Sequence, residues 1–308
     1  MTSTTFSFDR LNPFWALSRT PHGIIDMAAP ALAALLCLGH FPSFSITLIG
    51  LITAFAGYTA VYALNDLVDC RTDQIKVRLG GYEDGEQYLD GVLMRHPLAK
   101  GVLSIPQALI WTVGWSALAL MGAYWLNPVC VYIFLGGCLL EAAYCLLWRT
   151  TPLRALINGI VKSLGSIAAV YAVNPAPAPL FVAVLFGWIF FWEIGGQNIP
   201  NDWTDIDEDR SVNAKTIPVK FGPRRAVMLS VACLVLAFFL TPLLLMASAL
   251  HVELFSLLAG AGLGAWLMLL PAWRLVEKAD RQRAMALFNR ASYFPLSLLI
   301  LVLLRMAV

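Results

Sequence analysis

Long unbroken apolar runs alternate with short polar breaks along the whole chain. Nine runs approach or exceed the roughly 20 residues that a bilayer-crossing helix needs: about 22–39, 43–64, 102–126, 129–148, 156–173, 179–196, 226–248, 252–273 and 291–308. They are continuous and rich in Leu and Ala, without the period-two alternation of a membrane strand. The pattern therefore predicts an all-α fold: one multi-pass membrane helical bundle over residues 1–308, with about nine transmembrane helices.

Composition excludes the soluble alternative. Hydrophobic residues make up 59% of the 308 residues and charged ones 13%, against roughly 45–50% and 25% in soluble domains. So few polar side chains cannot cover a water-facing surface. With 21 Lys and Arg against 19 Asp and Glu, nothing in the charge attracts nucleic acid, so any function from charge must come from placement. The six cysteines form no CxxC pair and read as apolar packing. The polar N-terminal stretch is too long for a signal peptide and reads as an interfacial lead-in, with Phe14 and Trp15 suited to the headgroup layer.

Basic residues set the orientation. With the N-terminus in the cytoplasm, every Lys and Arg falls on that side except Lys162, inside the fifth run, and Arg305, near the far end. The opposite connections, around His40, Asn127, the Asn174–Pro179 stretch and His251, are short and carry neither. Chemistry is thus expected on the cytoplasmic side, in the long connections 65–101 and 197–225, which are read as active-site loops. The location expected is a bacterial or archaeal cytoplasmic membrane.

Both loops open on acidic clusters. The first is Asn65-Asp66-Leu67-Val68-Asp69-Cys70-Arg71-Thr72-Asp73 and the second Asn201-Asp202-Trp203-Thr204-Asp205-Ile206-Asp207-Glu208-Asp209. Carboxylates recur at i, i+3 and i+7 in each: Asp66, Asp69, Asp73 and Asp202, Asp205, Asp209. That spacing stacks three like charges on one helical face, which repel unless something positive compensates. Hard oxygen ligands at this density suit Mg²⁺ bridging carboxylates to a phosphate or diphosphate.

Cations follow in the same layer. Arg78 and Arg95 come after the first cluster, Arg149 and Arg154 fill the loop after the fourth run, and Lys215 follows the second cluster. These are candidate diphosphate contacts, Arg being suited to forked phosphate binding, although for each taken alone setting topology is the better explanation. Asp26, Glu141, Asn158, Lys162 and Glu193 lie within apolar runs. Such residues are expensive in a membrane and are expected to face the bundle interior, as candidates for a substrate pocket or as a structural pair such as Lys162 with Glu141 or Glu193.

These motifs together resemble the UbiA superfamily of intramembrane prenyltransferases. NDLVDCRTD is similar to its NDxxDxxxD motif, and NDWTDIDEDRSVNAKTIPVKFG to its second, DxxDxxxD followed by Thr-x-Pro-Val-x-x-Gly. The segment Arg95 to Gly101 looks like its Arg-Pro-Leu-x-x-Gly element with His96 inserted, and Tyr144 and Arg149 match a Tyr-x-x-x-x-Arg spacing. Two departures stand out. Trp148 occupies a position where some members carry Lys, and residues 79–94 form an insertion that is expected to fold as an amphipathic lid helix.

The resemblance implies that Asn65, Asp66, Asp69, Asp73, Asp202, Asp205 and Asp209 bind Mg²⁺ and the diphosphate of a polyprenyl donor. Tyr144 joins the arginines as a diphosphate contact. Around the second motif, the amides of Gln197, Asn198 and Asn201 are candidate further oxygen ligands, Asn198 being also a pocket candidate. The reaction implied is Mg²⁺-dependent transfer of the prenyl group to a small hydrophobic or aromatic acceptor of the quinone-precursor type, such as a hydroxybenzoate, in the membrane lipid. Tetrapyrrole and glycerol-phosphate lipid acceptors remain open, as does a cation-coupled transporter. The last predicts charges at midplane in broken helices, whereas the clusters here sit at helix ends. Aromatic side chains near those ends, Tyr58, Tyr62, Trp188 and Trp192, are candidates to stabilise an allylic cation.

Overall fold

A computed structural model describes residues 11–79 and 93–307. Among these, nine helices are long and apolar enough to cross a membrane: α1 Thr20–Leu38, α2 Phe44–Arg78, α3 Ile105–Leu126, α4 Pro128–Arg149, α5 Arg154–Val173, α6 Pro179–Thr204, α7 Pro223–Met246, α8 Leu254–Glu277 and α9 Arg281–Ala307. The described residues contain no strand. The chain is an integral, multi-pass membrane protein. The expected lid helix falls almost wholly on 80–92, outside the described residues.

Helix starts follow from local chemistry. Ser104 and Gln107 form a reciprocal capping box at α3, Asn127 caps α4 through the Val129 amide, and prolines occupy the first turns of α3, α4, α6 and α7, where a missing N–H costs nothing. Outward faces carry large apolar side chains, among them Phe44, Ile110, Tyr132 and Phe255. In water such a surface would be untenable; in lipid it is the expected solvent-facing layer.

The larger core cluster joins α1 and α5 to the second half of the bundle, and a smaller one packs Leu17 against α2 and α3. Trp188, Trp192 and Phe294 are fully buried, and both indoles are satisfied, Trp188 donating to the Thr241 hydroxyl at 3.0 Å and Trp192 to the Ala291 carbonyl at 2.9 Å. These two tryptophans are therefore packing residues. Neither lines the two cavities described below, although the Trp192 ring lies 5.9 Å from the Lys162 ammonium.

Four of the spanning helices are interrupted, each close to a proline: α1 at Met27, α6 and α8 by π segments, and α9 at Tyr293. In α6 the backbone widens into a π segment over Glu193–Asn198, two residues before Pro200. Pro200 has no N–H to offer the Gly196 carbonyl four residues back, and the Gln197 side chain donates to that carbonyl instead, at 3.0 Å. The neighbouring Gly195 carbonyl is met by the Ser230 hydroxyl of α7. Widening here re-aims the last turns of α6, which carry Asn198, Asn201 and Asp202. The α6 to α7 contact is close: a Cβ on Gly195 would sit 2.7 Å from the Ser230 carbonyl oxygen and 2.8 Å from Cys233 Cβ, whereas one on Gly50 would meet nothing within 4 Å. Gly195→Ala is accordingly expected to destabilise the protein by about 1–3 kcal/mol. Thermal unfolding in detergent should show a lowered midpoint for it and none for Gly50→Ala.

Candidate active site

The first acidic cluster is not in a loop. α2 continues without a break through residue 78, so Asp66, Asp69 and Asp73 occupy consecutive turns of one rigid helix, on the face the i, i+3, i+7 spacing predicts. The second cluster is built differently. α6 ends at Thr204 and a short helix, Ile206–Ser211, begins after Asp205, with the Asp209 amide still bonded to the Asp205 carbonyl at 2.8 Å. Despite that break, Asp202, Asp205 and Asp209 are all buried and aimed at the first cluster.

Both clusters line a single cavity of about 110 Å³. Their convergence is direct, because Lys76, one turn past Asp73, lies 2.8 Å from Asp209 of the second cluster. Other basic side chains are distributed over the same carboxylates: Arg154 is 3.3 Å from Asp202, Arg95 3.4 Å from Asp205, and Arg19 3.5 Å from Asp66. His96 lies 3.0 Å from Asp73 and 3.5 Å from Asp66. Burial alone would lower the His96 imidazole, but the Asp73 and Asp66 carboxylates outweigh it and raise it to about 9, so the ring is charged at neutral pH. The Asp66 and Asp73 carboxylates come within 4.8 Å of each other beside this cation, close enough to share one ion.

Among the sequence-predicted cations the structure is selective. Arg95 and Arg154 line the cavity, as does Tyr144, whose ring lies 4.5 Å beneath the Arg154 guanidinium. Arg78, Arg149 and Lys215 do not line it. Arg78 is exposed on the opposite face of α2 from the carboxylates. Arg149 turns away, donating to the Val212 carbonyl at 3.3 Å and lying 4.3 Å over the Trp148 ring. Lys215 is exposed, its backbone pinned to the Trp148 carbonyl at 2.7 Å. Arg19, Lys76 and His96 were not among the residues singled out as diphosphate contacts. Lys76 was legible, being three residues from Asp73 and seven from Asp69 on the same face; Arg19 was not, because tertiary folding alone brings it there.

Behind this cavity lies a larger, mainly apolar chamber of about 540 Å³ lined by helices from both halves of the bundle. The two voids share Arg19, Asn65, Tyr144 and Asn201 as walls. Asn65 donates to Glu141 at 2.6 Å, so the two residues bridge α2 and α4 at the junction. Tyr58 and Tyr62, stacked with centroids 6.4 Å apart, present their rings to the chamber. Asn158, Lys162, Glu193 and Asn198 line it too, and Asp26 stands just behind, accepting from both Lys162 and Tyr62. The principal partner of Lys162 is thus Asp26, with Glu193 at 3.9 Å. Glu141 is committed to Asn65.

The donor set is hard: carboxylate and amide oxygens gathered at a helix-end cavity that opens on an apolar chamber. Such a set fits Mg²⁺ held jointly with a phosphate-bearing ligand and does not fit a soft metal, there being no thiolate among the cavity's lining residues.

Comparison with known proteins gives a concordant result. The profile of the UbiA prenyltransferase family matches residues 27–298. A 4-hydroxybenzoate octaprenyltransferase of Tolumonas auensis is 27% identical over 213 residues, 68% of this chain and 69% of that protein. A digeranylgeranylglyceryl phosphate synthase of Methanosarcina barkeri is 26% identical over 269 residues, 84% of this chain and 82% of its own length. The solved structure of a UbiA homologue from Archaeoglobus fulgidus bound to GPP and Mg²⁺ superposes with a TM-score of 0.67 at 18% identity, covering 96% of this chain and all of that one (100%).

Proposed function

The chain belongs to the UbiA prenyltransferase family, and from that premise we propose that it transfers the prenyl group of a polyprenyl diphosphate to an aromatic acceptor, in a Mg²⁺-dependent reaction at the cavity between α2 and α6. The observation that carries the reading is the convergence of six aspartates, three from α2 and three from the end of α6 and the short helix after it, on one cavity that opens into an apolar chamber. A solvated pair of helix ends would not converge in this way. Binding of GPP and Mg²⁺ by the Archaeoglobus homologue supports it by analogy.

Asp66, Asp69 and Asp73 with Asn65, and Asp202, Asp205 and Asp209, would hold Mg²⁺. When bound, Mg²⁺ supplies charge neutralisation to the departing diphosphate. The remaining work falls to side chains of this protein. Arg95, Arg154, Lys76, Arg19 and His96 are positioned to take diphosphate oxygens, each being already within reach of the carboxylates that would share the ligand. Tyr58 and Tyr62 offer ring faces to a developing allylic cation. The chamber takes the isoprenoid tail and excludes the water that would quench that cation. The acidic end of the bundle faces the cytoplasm by the distribution of Lys and Arg. An aromatic acceptor fits the stacked tyrosine wall, and some curated relatives are named for a hydroxybenzoate acceptor.

The test is release of diphosphate from geranyl diphosphate by protein in lipid, with aromatic and lipid acceptors, in Mg²⁺ and in EDTA. Release that requires both Mg²⁺ and an aromatic acceptor is expected. Release driven instead by a glycerol-phosphate lipid would overturn the acceptor class, and release undiminished by EDTA would overturn the metal site.

A further inference from the structure

The chamber wall contains polar groups that prenyl transfer from a diphosphate does not by itself require. Glu193 and Asn198 flank the π segment of α6 and are both buried, 5% and 4% exposed. Each satisfies one end of its side chain within the protein: Glu193 accepts from Asn158 at 2.9 Å, and Asn198 donates to the Tyr144 hydroxyl at 3.1 Å. Each leaves one oxygen, Oε2 of Glu193 and Oδ1 of Asn198, without a hydrogen-bond donor. Both residues line the chamber, and both orphaned atoms are acceptors. Buried acceptors left unmet are costly and rare, so their presence beside an internal void points to a ligand that donates.

Charge sharpens the inference. Three groups able to carry positive charge reach the chamber wall, and each faces a carboxylate: Lys162 contacts Asp26, His22 lies 3.6 Å from Asp26, and Arg19 pairs with Asp66. Glu193 lies 3.9 Å from Lys162, outside hydrogen-bond range, and Glu141 adds a further carboxylate to the wall. The wall therefore has no uncommitted positive group for an anionic headgroup, and a second carboxylate entering beside Glu193 would meet a like charge in a low-dielectric setting.

We propose that Glu193 and Asn198 form the acceptor-recognition site of this enzyme, and that it selects an uncharged acceptor through a donated hydroxyl while discriminating against acceptors that carry a carboxylate or phosphate. The proposal rests on the prenyltransferase reading and narrows its acceptor class: a hydroquinone-like ring fits, a benzoate does not. Glu193 Oε2 receives the acceptor's O–H, Asn198 Oδ1 a second donor, and the Asp26–Lys162 pair fixes the negative edge of the site.

The experiment is equilibrium binding of methylhydroquinone and of 4-hydroxybenzoate to the full chain in lipid nanodiscs, alone and with Mg²⁺ and a non-hydrolysable geranyl thiolodiphosphate. Methylhydroquinone is expected to bind at least tenfold tighter, and Glu193→Gln to narrow that gap by at least tenfold. Asn198→Ala is expected to weaken methylhydroquinone binding by about threefold to tenfold, the value of one hydrogen bond. Equal or tighter benzoate binding by the wild type, no methylhydroquinone binding, or an unchanged gap in Glu193→Gln would each overturn the proposal. The wild-type comparison stands even if a variant fails to fold. Failure of the thiolodiphosphate itself to bind in Mg²⁺ would instead overturn the diphosphate site, and the donor-free arm keeps the two outcomes apart.

Discussion

Asp69→Asn is expected to lower Mg²⁺-dependent turnover by about 10²–10³-fold, the loss typical of removing one preorganised electrostatic group, while the protein stays folded in detergent. Among the six clustered aspartates this is the cleanest position to test. Asp66, Asp73, Asp202, Asp205 and Asp209 each lie within ion-pair distance of a basic side chain, so neutralising any of them also frees a cation. Among the described residues Asp69 is in no ion pair, though it lines the same cavity one turn from both Asp66 and Asp73. Asn keeps its shape and removes a charge from a crowded face, which relieves repulsion and opens no void. Unchanged thermal unfolding with lost diphosphate release is the predicted pairing. Retained release would remove Asp69 from the metal site.

Lys162→Met is expected to have the opposite profile, a loss of about 3–5 kcal/mol in stability, the usual cost of stripping one partner from a buried ion pair. The Asp26 side chain is only 2% exposed and that of Glu193 only 6%. Without the ammonium, two carboxylates would be left inside a bundle surrounded by lipid, where burial is heavily penalised. Lys162 sits on α5, Asp26 on α1 and Glu193 on α6, so the loss should appear as cooperative loosening of the three helices. Asp26→Asn combined with Lys162→Met removes one stranded charge and should recover part of the loss in a double-mutant cycle. Unfolding in detergent followed by circular dichroism measures both, and an unaltered Lys162→Met midpoint would show that the pair does not hold the helices together.

The helical architecture was legible because apolar run length is set by bilayer thickness and needs no knowledge of tertiary contacts. All nine predicted runs correspond to helices of the required length. The first acidic face was legible for a similar reason: residues 66, 69 and 73 share a face whenever the segment is helical. Where α2 stops was not legible, because polar residues after 64 look like a loop although the helix carries them on to Arg78. The second cluster illustrates the reverse. Its i, i+3, i+7 spacing suggests one helix, yet the chain breaks at Asp205, where the Asp209 amide still bonds the Asp205 carbonyl and all three carboxylates line the cavity. Arg149 and Lys215 show how little a basic residue's position in sequence says about its reach, since Arg149 lies over the Trp148 ring, Lys215 is exposed, and neither lines the cavity. Pairing across the bundle, Arg19 with Asp66 and Lys162 with Asp26, depends on contacts separated by 47 and 136 residues and leaves no local signature.

The central claim is that two clusters on separate helices form one metal-dependent diphosphate site. Titration calorimetry of geranyl diphosphate into the protein in lipid tests it most directly, in Mg²⁺ and in EDTA, for the wild type and for one variant from each cluster, Asp69→Asn and Asp205→Asn. Saturable one-to-one binding in Mg²⁺ that is lost in EDTA and weakened at least tenfold in both variants is the predicted result. Binding that survives EDTA, or that is untouched in either variant, would contradict a shared site.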